Sequence, residues 1–484
     1  MQPFFLGAAN RRFLHAPNAP DPPDAFMRIG QLTQFHENAV VIAWWSTRLG
    51  RALSWLRPSR RRAILAAAAV CVGVINPFLA LTGHKTLPWA SSGTEIALVI
   101  LSLFAILWLI YRAAAGFSAL PAIVRRHPQL TLHLFYWSLL AVLWTTGPTA
   151  GGWRAVLFGI AIVFPFLIWR CGFLLLSGQH GRMAGTRFSD HLIYLWPAYG
   201  GNDTPYGKGL SYLSQCEAKT EGELARSQLS GIRLILLGLW WGVVMYVFDG
   251  VIYGEGNALT NSLGGRTVGI PALGQLVKQG ADAPLGAAWA SIYCELMKQV
   301  LRHAAGGHVI IGVLRLFGFN VFRNTYKPLL AESVVEFWNR YYYYFKELLV
   351  TFFFLPTYTG FGKRLARWPS LRMFAAVFAA AFVGNTYYHI IKVGHVMAEG
   401  RVFEEMYELR SRIFYCLLLA LGIFVSMLRQ QRRRGQAPSS GTASRVLRIA
   451  GVWTFFSLIF IWNVRGRAGF LSRTDFFLGL FGLA

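Results

Sequence analysis

Residues 316–350 read "LFGFNVFRNTYKPLLAESVVEFWNRYYYYFKELLV". Arg323, Lys327, Glu332, Glu336, Arg340, Lys346 and Glu347 stand there among dense aromatics, including four consecutive tyrosines, Tyr341 to Tyr344. A lipid-facing span does not tolerate that many charges, because a charge in the hydrocarbon core is expensive. A solvated loop does not hold that many rings. The stretch reads as polar chemistry buried inside protein.

The chain around it is apolar. Of 484 residues, 55% are hydrophobic and 14% charged, with a mean hydropathy of +0.42. Ordinary soluble domains carry about 25% charged residues. Several apolar runs come close to the roughly 20 residues that cross a bilayer. They are continuous rather than alternating, which predicts an all-α polytopic membrane protein and excludes a β-barrel.

The formal net charge is +26. The basic residues sit between the apolar runs, so they read as cytoplasmic loops rather than a nucleic-acid surface. Anionic lipid head groups or an anionic donor would gain from the same field. Cys71, Cys171, Cys294 and Cys416 lie in apolar runs and Cys216 in a polar loop, with no CxxC. This pattern predicts neither a disulfide framework nor a zinc site.

Arg57, Arg60, Arg61 and Arg62 precede the first run, 63–81, and place the N-terminus in the cytoplasm. Further runs at 96–111, 131–147, 153–176, 230–251, 284–304, 371–393, 411–428 and 447–464 bring the expectation to about nine crossings. With partial ones, nine to eleven transmembrane or re-entrant helices are expected. "YLWPAYGGNDTPYGKG" (194–209) reads as interfacial or re-entrant. The basic loops 362–368 and 429–445 are expected in the cytoplasm. Segment 334–358 would then begin and end on one side, dipping into the bundle and returning, with its polar groups satisfied by protein. The expected organisation is a cytoplasmic or interfacial leader at 1–58, a transmembrane domain at 59–470 and a short tail at 471–484.

The motif order is distinctive. Gly318 and Phe319 are followed by Asn324 and Pro328, then Glu336, Phe337, Trp338, Asn339 and Arg340. "FFFLPTYTGFGKR" (352–364) holds Leu355, Pro356 and Gly360, and "FVGNTYYHII" (382–391) holds His389. Across roughly residues 300–395 this resembles the membrane-bound O-acyltransferases (MBOAT). The nearest likeness is to the bacterial branch of alginate O-acetyltransferases and D-alanyl transferases of cell-wall polymers. That branch has a histidine where this chain has Tyr341 and Tyr342, and commonly a tryptophan at Tyr388.

The resemblance implies an MBOAT-like helical fold in the bacterial inner membrane, and acyl transfer from a cytoplasmic thioester. The donor would be acyl-coenzyme A, most simply acetyl-coenzyme A, as a co-substrate rather than a tightly bound cofactor. The acceptor would be a hydroxyl of an envelope polysaccharide, a lipid or another membrane-associated molecule, with or without a partner protein. His389 would stand at the family's catalytic histidine. The alternative is a catalytically degenerate member that binds lipid or organises a membrane assembly.

O-acyl transfer needs a base for the attacking hydroxyl and a donor for the developing oxyanion. His389 is the candidate base. Asn339, Tyr341 and Tyr342 are candidates to hold the carbonyl, with Tyr342 in place of the family histidine. Arg323, Lys327, Arg340, Lys346, Lys363 and Arg364 are candidates for the donor phosphates. Glu336, Trp338, Tyr388 and Asn385 would support the site, Asn385 lying one turn before His389. His303 and His308 have no carboxylate at ligand spacing, so no metal site is expected.

Overall fold

The computed structural model describes residues 34–82, 92–147, 152–196, 208–254, 267–432, 441–464 and 468–484. Every regular element among them is helical. In chain order they are α1 (Ala39–Trp55), α2 (Pro58–Thr82), α3 (Gly93–Ala115), α4 (Ala122–Arg126), α5 (Pro128–Thr146), α6 (Gly152–Gln179) and α7 (Phe188–Leu195). Next come α8 (Gly209–Cys216), α9 (Glu221–Tyr253), α10 (Leu273–Gln279), α11 (Leu285–Leu316), α12 (Val334–Tyr341), α13 (Tyr343–Leu349) and α14 (Leu355–Gly360). The last are α15 (Pro369–Val377), α16 (Asn385–Lys392), α17 (Gly394–Met397), α18 (Val402–Arg432), α19 (Thr442–Phe460) and α20 (Phe470–Gly479).

Seven of the described stretches are long and apolar enough to cross a membrane: most of α2, then α3, α6, α9, the run Pro369–Lys392, α18 and α19. The chain is a multi-pass helical membrane protein. The runs expected at 131–147 and 284–304 also form helices, α5 and α11. They fall outside the seven. α11 carries Glu295, Lys298, Arg302, His303 and His308 on its 32 residues. Residues 1–33 of the leader, and 197–207 of the segment read as re-entrant, lie outside the described residues.

α9 and α11 form the central antiparallel pair. Their backbones meet at glycines. A Cβ on Gly231 would lie 2.7 Å from the Gly312 carbonyl, and one on Gly312 would lie 2.9 Å from the Gly231 carbonyl. Further along, Gly238 packs against the Ala305 carbonyl. Membrane helices gain nothing from burying apolar surface in apolar lipid, so close backbone approach carries the association. Asp249 and Lys298 pair at 2.8 Å near the other end.

Residues 343–360 run as one helix through a π segment, Val350–Phe354, which joins α13 to α14. Residues 369–392 do the same through Phe378–Gly384. The two form a hairpin, and Gly384 admits the Phe353 ring, which a Cβ there would meet at 2.7 Å. Single-turn π segments of this kind gather at functional sites. The 471–484 tail is held down: Arg473 is buried and donates to the carbonyls of Ile461, Val464 and Ala468.

Gly312→Val should overpack the α9–α11 contact and destabilise the protein by about 1–3 kcal/mol. Gly222→Ala, where nothing lies within 4 Å, is the control. Melting in detergent should show a lower transition for the first variant and little change for the second.

Candidate active site

Residues 317–327 have no helix of their own. Gly318 takes φ 83° and leaves room for the Arg61 guanidinium, which a Cβ would strike. Its carbonyl accepts from Ala218 N at 2.8 Å, and Asn320 N donates to the Cys216 carbonyl at 2.8 Å. The rest of the loop is paired by residues 340–344. Tyr326 N donates to the Arg340 carbonyl at 2.7 Å, and Tyr343 N to the Asn324 carbonyl at 3.1 Å. The Asn324 side chain accepts from Tyr344 N at 3.2 Å, and Thr325 Oγ1 donates to the Tyr341 carbonyl at 3.1 Å.

Two tyrosine hydroxyls close the arrangement. Phe322 N donates to Tyr212 Oη at 3.2 Å, and Tyr344 Oη donates to the Phe322 carbonyl at 2.7 Å. With that proton committed, the 3.1 Å contact between the hydroxyls runs from Tyr212 to Tyr344. Asn324, Thr325 and Tyr344 are each at most 3% exposed, so nearly all these groups are paired within protein.

This pairing breaks the helix at Tyr342, whose φ and ψ are −140° and 61°. α12 before the break is capped by Ser333, which accepts from Glu336 N at 3.2 Å. The Glu336 carboxylate accepts from Glu332 N at 2.7 Å and pairs with Arg340.

The break turns the tyrosines toward other helices. Tyr341 Oη lies 3.1 Å from His303 Nδ1, and the Tyr342 ring is 5.0 Å from the His303 ring. Tyr342 meets Phe345 at 5.5 Å, Phe345 meets Tyr388 at 4.9 Å, and Tyr388 meets His389 at 5.5 Å. A continuous row of rings therefore links two histidines from α11 and α16. His303 Nδ1 is also 2.8 Å from the Gln299 carbonyl. A carbonyl only accepts, so Nδ1 carries the hydrogen, and in the neutral ring Nε2 holds the lone pair.

Lys392 and, from α18, Arg412 are within electrostatic reach of His389. Among the described residues nothing hydrogen-bonds to its imidazole. Asn385 is 2% exposed on the same helix. Two residues on, Tyr387 anchors the helix, accepting from Trp137 Nε1 at 3.0 Å and hydrogen-bonding with His133 Nδ1 at 2.9 Å.

The basic residues expected to bind donor phosphates are not one group. Arg340 is committed to Glu336 and to the Lys327 carbonyl at 3.2 Å. Lys346 pairs with Glu347 at 2.6 Å, and Glu347 also holds Lys208 at 2.7 Å. Arg323 and Lys327 flank the Tyr326 ring at 5.3 and 5.7 Å. Lys363 and Arg364 lie beyond the far end of the 343–360 helix, on the order of 25 Å from Tyr343 at about 1.5 Å per residue. Trp338 is buried and Asn339 half-buried beside the break.

No protein-family model matches the chain, and no curated protein matches it. Among the described residues there is no cluster of three or more His, Cys, Asp or Glu able to hold a metal. His303 joins the tyrosines although sequence spacing put it outside the motif. The available signal was Gln299 and His303, polar residues one turn apart on a long helix that also carries Glu295, Lys298 and Arg302.

Asn324→Ala should leave Tyr344 N without its acceptor. The loss expected for a buried donor is about 1–3 kcal/mol. A lowered melting temperature, with faster proteolysis near 341–344, is the outcome that checks it.

Proposed function

We propose that this protein is a membrane-bound O-acyltransferase of the MBOAT kind, acting in the bacterial inner membrane with its N-terminus in the cytoplasm. It would move an acyl group, most simply acetyl, from a coenzyme A thioester to a hydroxyl of an envelope polysaccharide or lipid. The observation that carries the reading is the row His303–Tyr341/Tyr342–Phe345–Tyr388–His389, a polar and aromatic site inside a helical bundle. The motif order in the sequence supports it independently.

In this reading the acceptor oxygen attacks the thioester carbon while its proton passes to His389. The carbon–sulfur bond then breaks, and the thiolate leaves and takes up a proton. Tyr342 donates to the carbonyl oxygen as charge develops on it. His303 stands beside Tyr341 where the bacterial branch supplies its histidine from the motif itself. With Nδ1–H held by Gln299, its Nε2 is the basic atom.

His389→Ala should lower transfer at least 10²–10⁴-fold, the range for loss of a general base. The protein should fold, because the change removes no hydrogen bond among the described residues. Tyr342→Phe should cost less and act on turnover more than on affinity. Transfer by His389→Ala at the wild-type rate would refute the assignment.

Orientation has its own check. A single cysteine at Lys363 should resist a membrane-impermeant thiol reagent in intact cells and react in opened ones. Labelling in intact cells would reverse the proposed donor side.

A further inference from the structure

A buried cluster of polar side chains lies where the described part of the leader meets α9. Trp45 Nε1 on α1 donates to Gln228 Oε1 at 2.9 Å and fixes the preceding turn, Phe35–Glu37, against that helix. His36 is thereby buried to 8% exposure, with Nε2 3.2 Å from Arg233 Nη1 and 3.4 Å from the Glu37 carboxylate. Burial, followed by the positive charge of Arg233, lowers its pKa to about 4, so the ring is neutral. A guanidinium only donates, so Nε2 accepts from Arg233 and the hydrogen is on Nδ1.

Among the described residues that hydrogen has no acceptor. His36 Nδ1 and Arg233 Nε are both buried without a hydrogen-bond partner among the described residues. Buried donors are ordinarily satisfied, and each exception calls for a reason.

Among the described residues the charge around them is mostly positive. His36 is within electrostatic reach of Arg233, Arg315 and Arg323, against the single carboxylate of Glu37. His308, buried on α11, is within electrostatic reach of the same three arginines. Arg315 is accounted for by the Val321 carbonyl at 2.8 Å and by Ser230. Arg323, in the loop after α11, rests on the Tyr326 ring at 5.3 Å and pairs with no carboxylate among the described residues. Burial and then Arg233 lower its pKa to about 10.

We propose that Arg233, Arg323 and His36 form a binding site for a phosphate group. Phosphate is the chemistry that answers both deficits. It brings negative charge to the Arg233 and Arg323 guanidiniums, whose planar forks match its oxygens, and acceptors to the two N–H groups. The leader supplies part of the site through His36, so binding should tighten its hold on α9. The phosphate belongs either to the nucleotide portion of a coenzyme A donor or to a lipid head group. The proposal extends the donor side of the proposed function, yet binding is read without turnover, so the two can fail separately.

The test uses the full chain in phosphatidylcholine nanodiscs. Coenzyme A and inorganic pyrophosphate are titrated by calorimetry, and phosphatidylglycerol is offered by doping the discs and measuring its enrichment around the protein. Arg323→Gln, Arg233→Gln and His36→Gln are compared with wild type, with folding checked by melting. Arg323 lies outside the helices, so its variant remains informative if Arg233→Gln does not fold. Binding of coenzyme A or pyrophosphate that weakens at least tenfold in Arg323→Gln, and falls with added salt, supports a soluble donor. Enrichment of phosphatidylglycerol that is lost in Arg323→Gln, without coenzyme A binding, supports a lipid head group. No binding of any probe by wild type, or equal binding by wild type and Arg323→Gln, overturns the site.

Discussion

A stretch of non-helical backbone inside a membrane protein must have its polar groups satisfied by protein, because lipid offers none. Residues 317–327 meet that requirement by pairing with residues 340–344 through Asn324, Thr325, Tyr326 and Tyr343. The pairing dictates the break at Tyr342. The break ends α12 at Tyr341: Arg340 pairs with Glu336 one turn back and with the Lys327 carbonyl, while Tyr341 and Tyr342 lie against His303 of α11. Without it, residues 334–360 would form one long helix and the tyrosines would be distributed around it.

The surrounding bundle makes the site rigid by close backbone approach. Gly231 and Gly312 lock α9 to α11, which fixes the height of His303 against the tyrosines. Gly384 receives Phe353 between two π segments and sets α16, with His389, against α13. Charges near the site are used structurally: Lys346, Glu347 and Lys208 form a chain of ion pairs across the face of Tyr343.

Much of the helical architecture was legible because hydropathy over about 20 residues is a strong signal. The apolar runs at 63–81, 96–111, 153–176, 230–251, 371–393, 411–428 and 447–464 each fall on a stretch able to span. α11 was readable as a helix, though its polar face was not readable as part of the site. Tyr341 and His303 are 38 residues apart, and no local spacing joins them. The basic residues show the opposite difficulty. Composition grouped Lys363 and Arg364 with Arg323 and Lys327, whereas the intervening helix sets them at its other end. Arg340 has its partner Glu336 one turn away, a pairing that spacing alone allows. His36 and Arg233 were invisible for the same reason as His303: they are 197 residues apart and meet only through the docking of α1.

The account stands most directly on whether this protein transfers acyl groups at all. Inverted membrane vesicles from cells making the protein, and from cells making His389→Ala, would be given radiolabelled acetyl-coenzyme A. Label in the extracted polysaccharide and lipid fractions would then be measured before and after treatment with alkaline hydroxylamine, which cleaves oxygen esters. The account predicts hydroxylamine-labile label that depends on the protein and on His389. Equal labelling with and without the protein would contradict it.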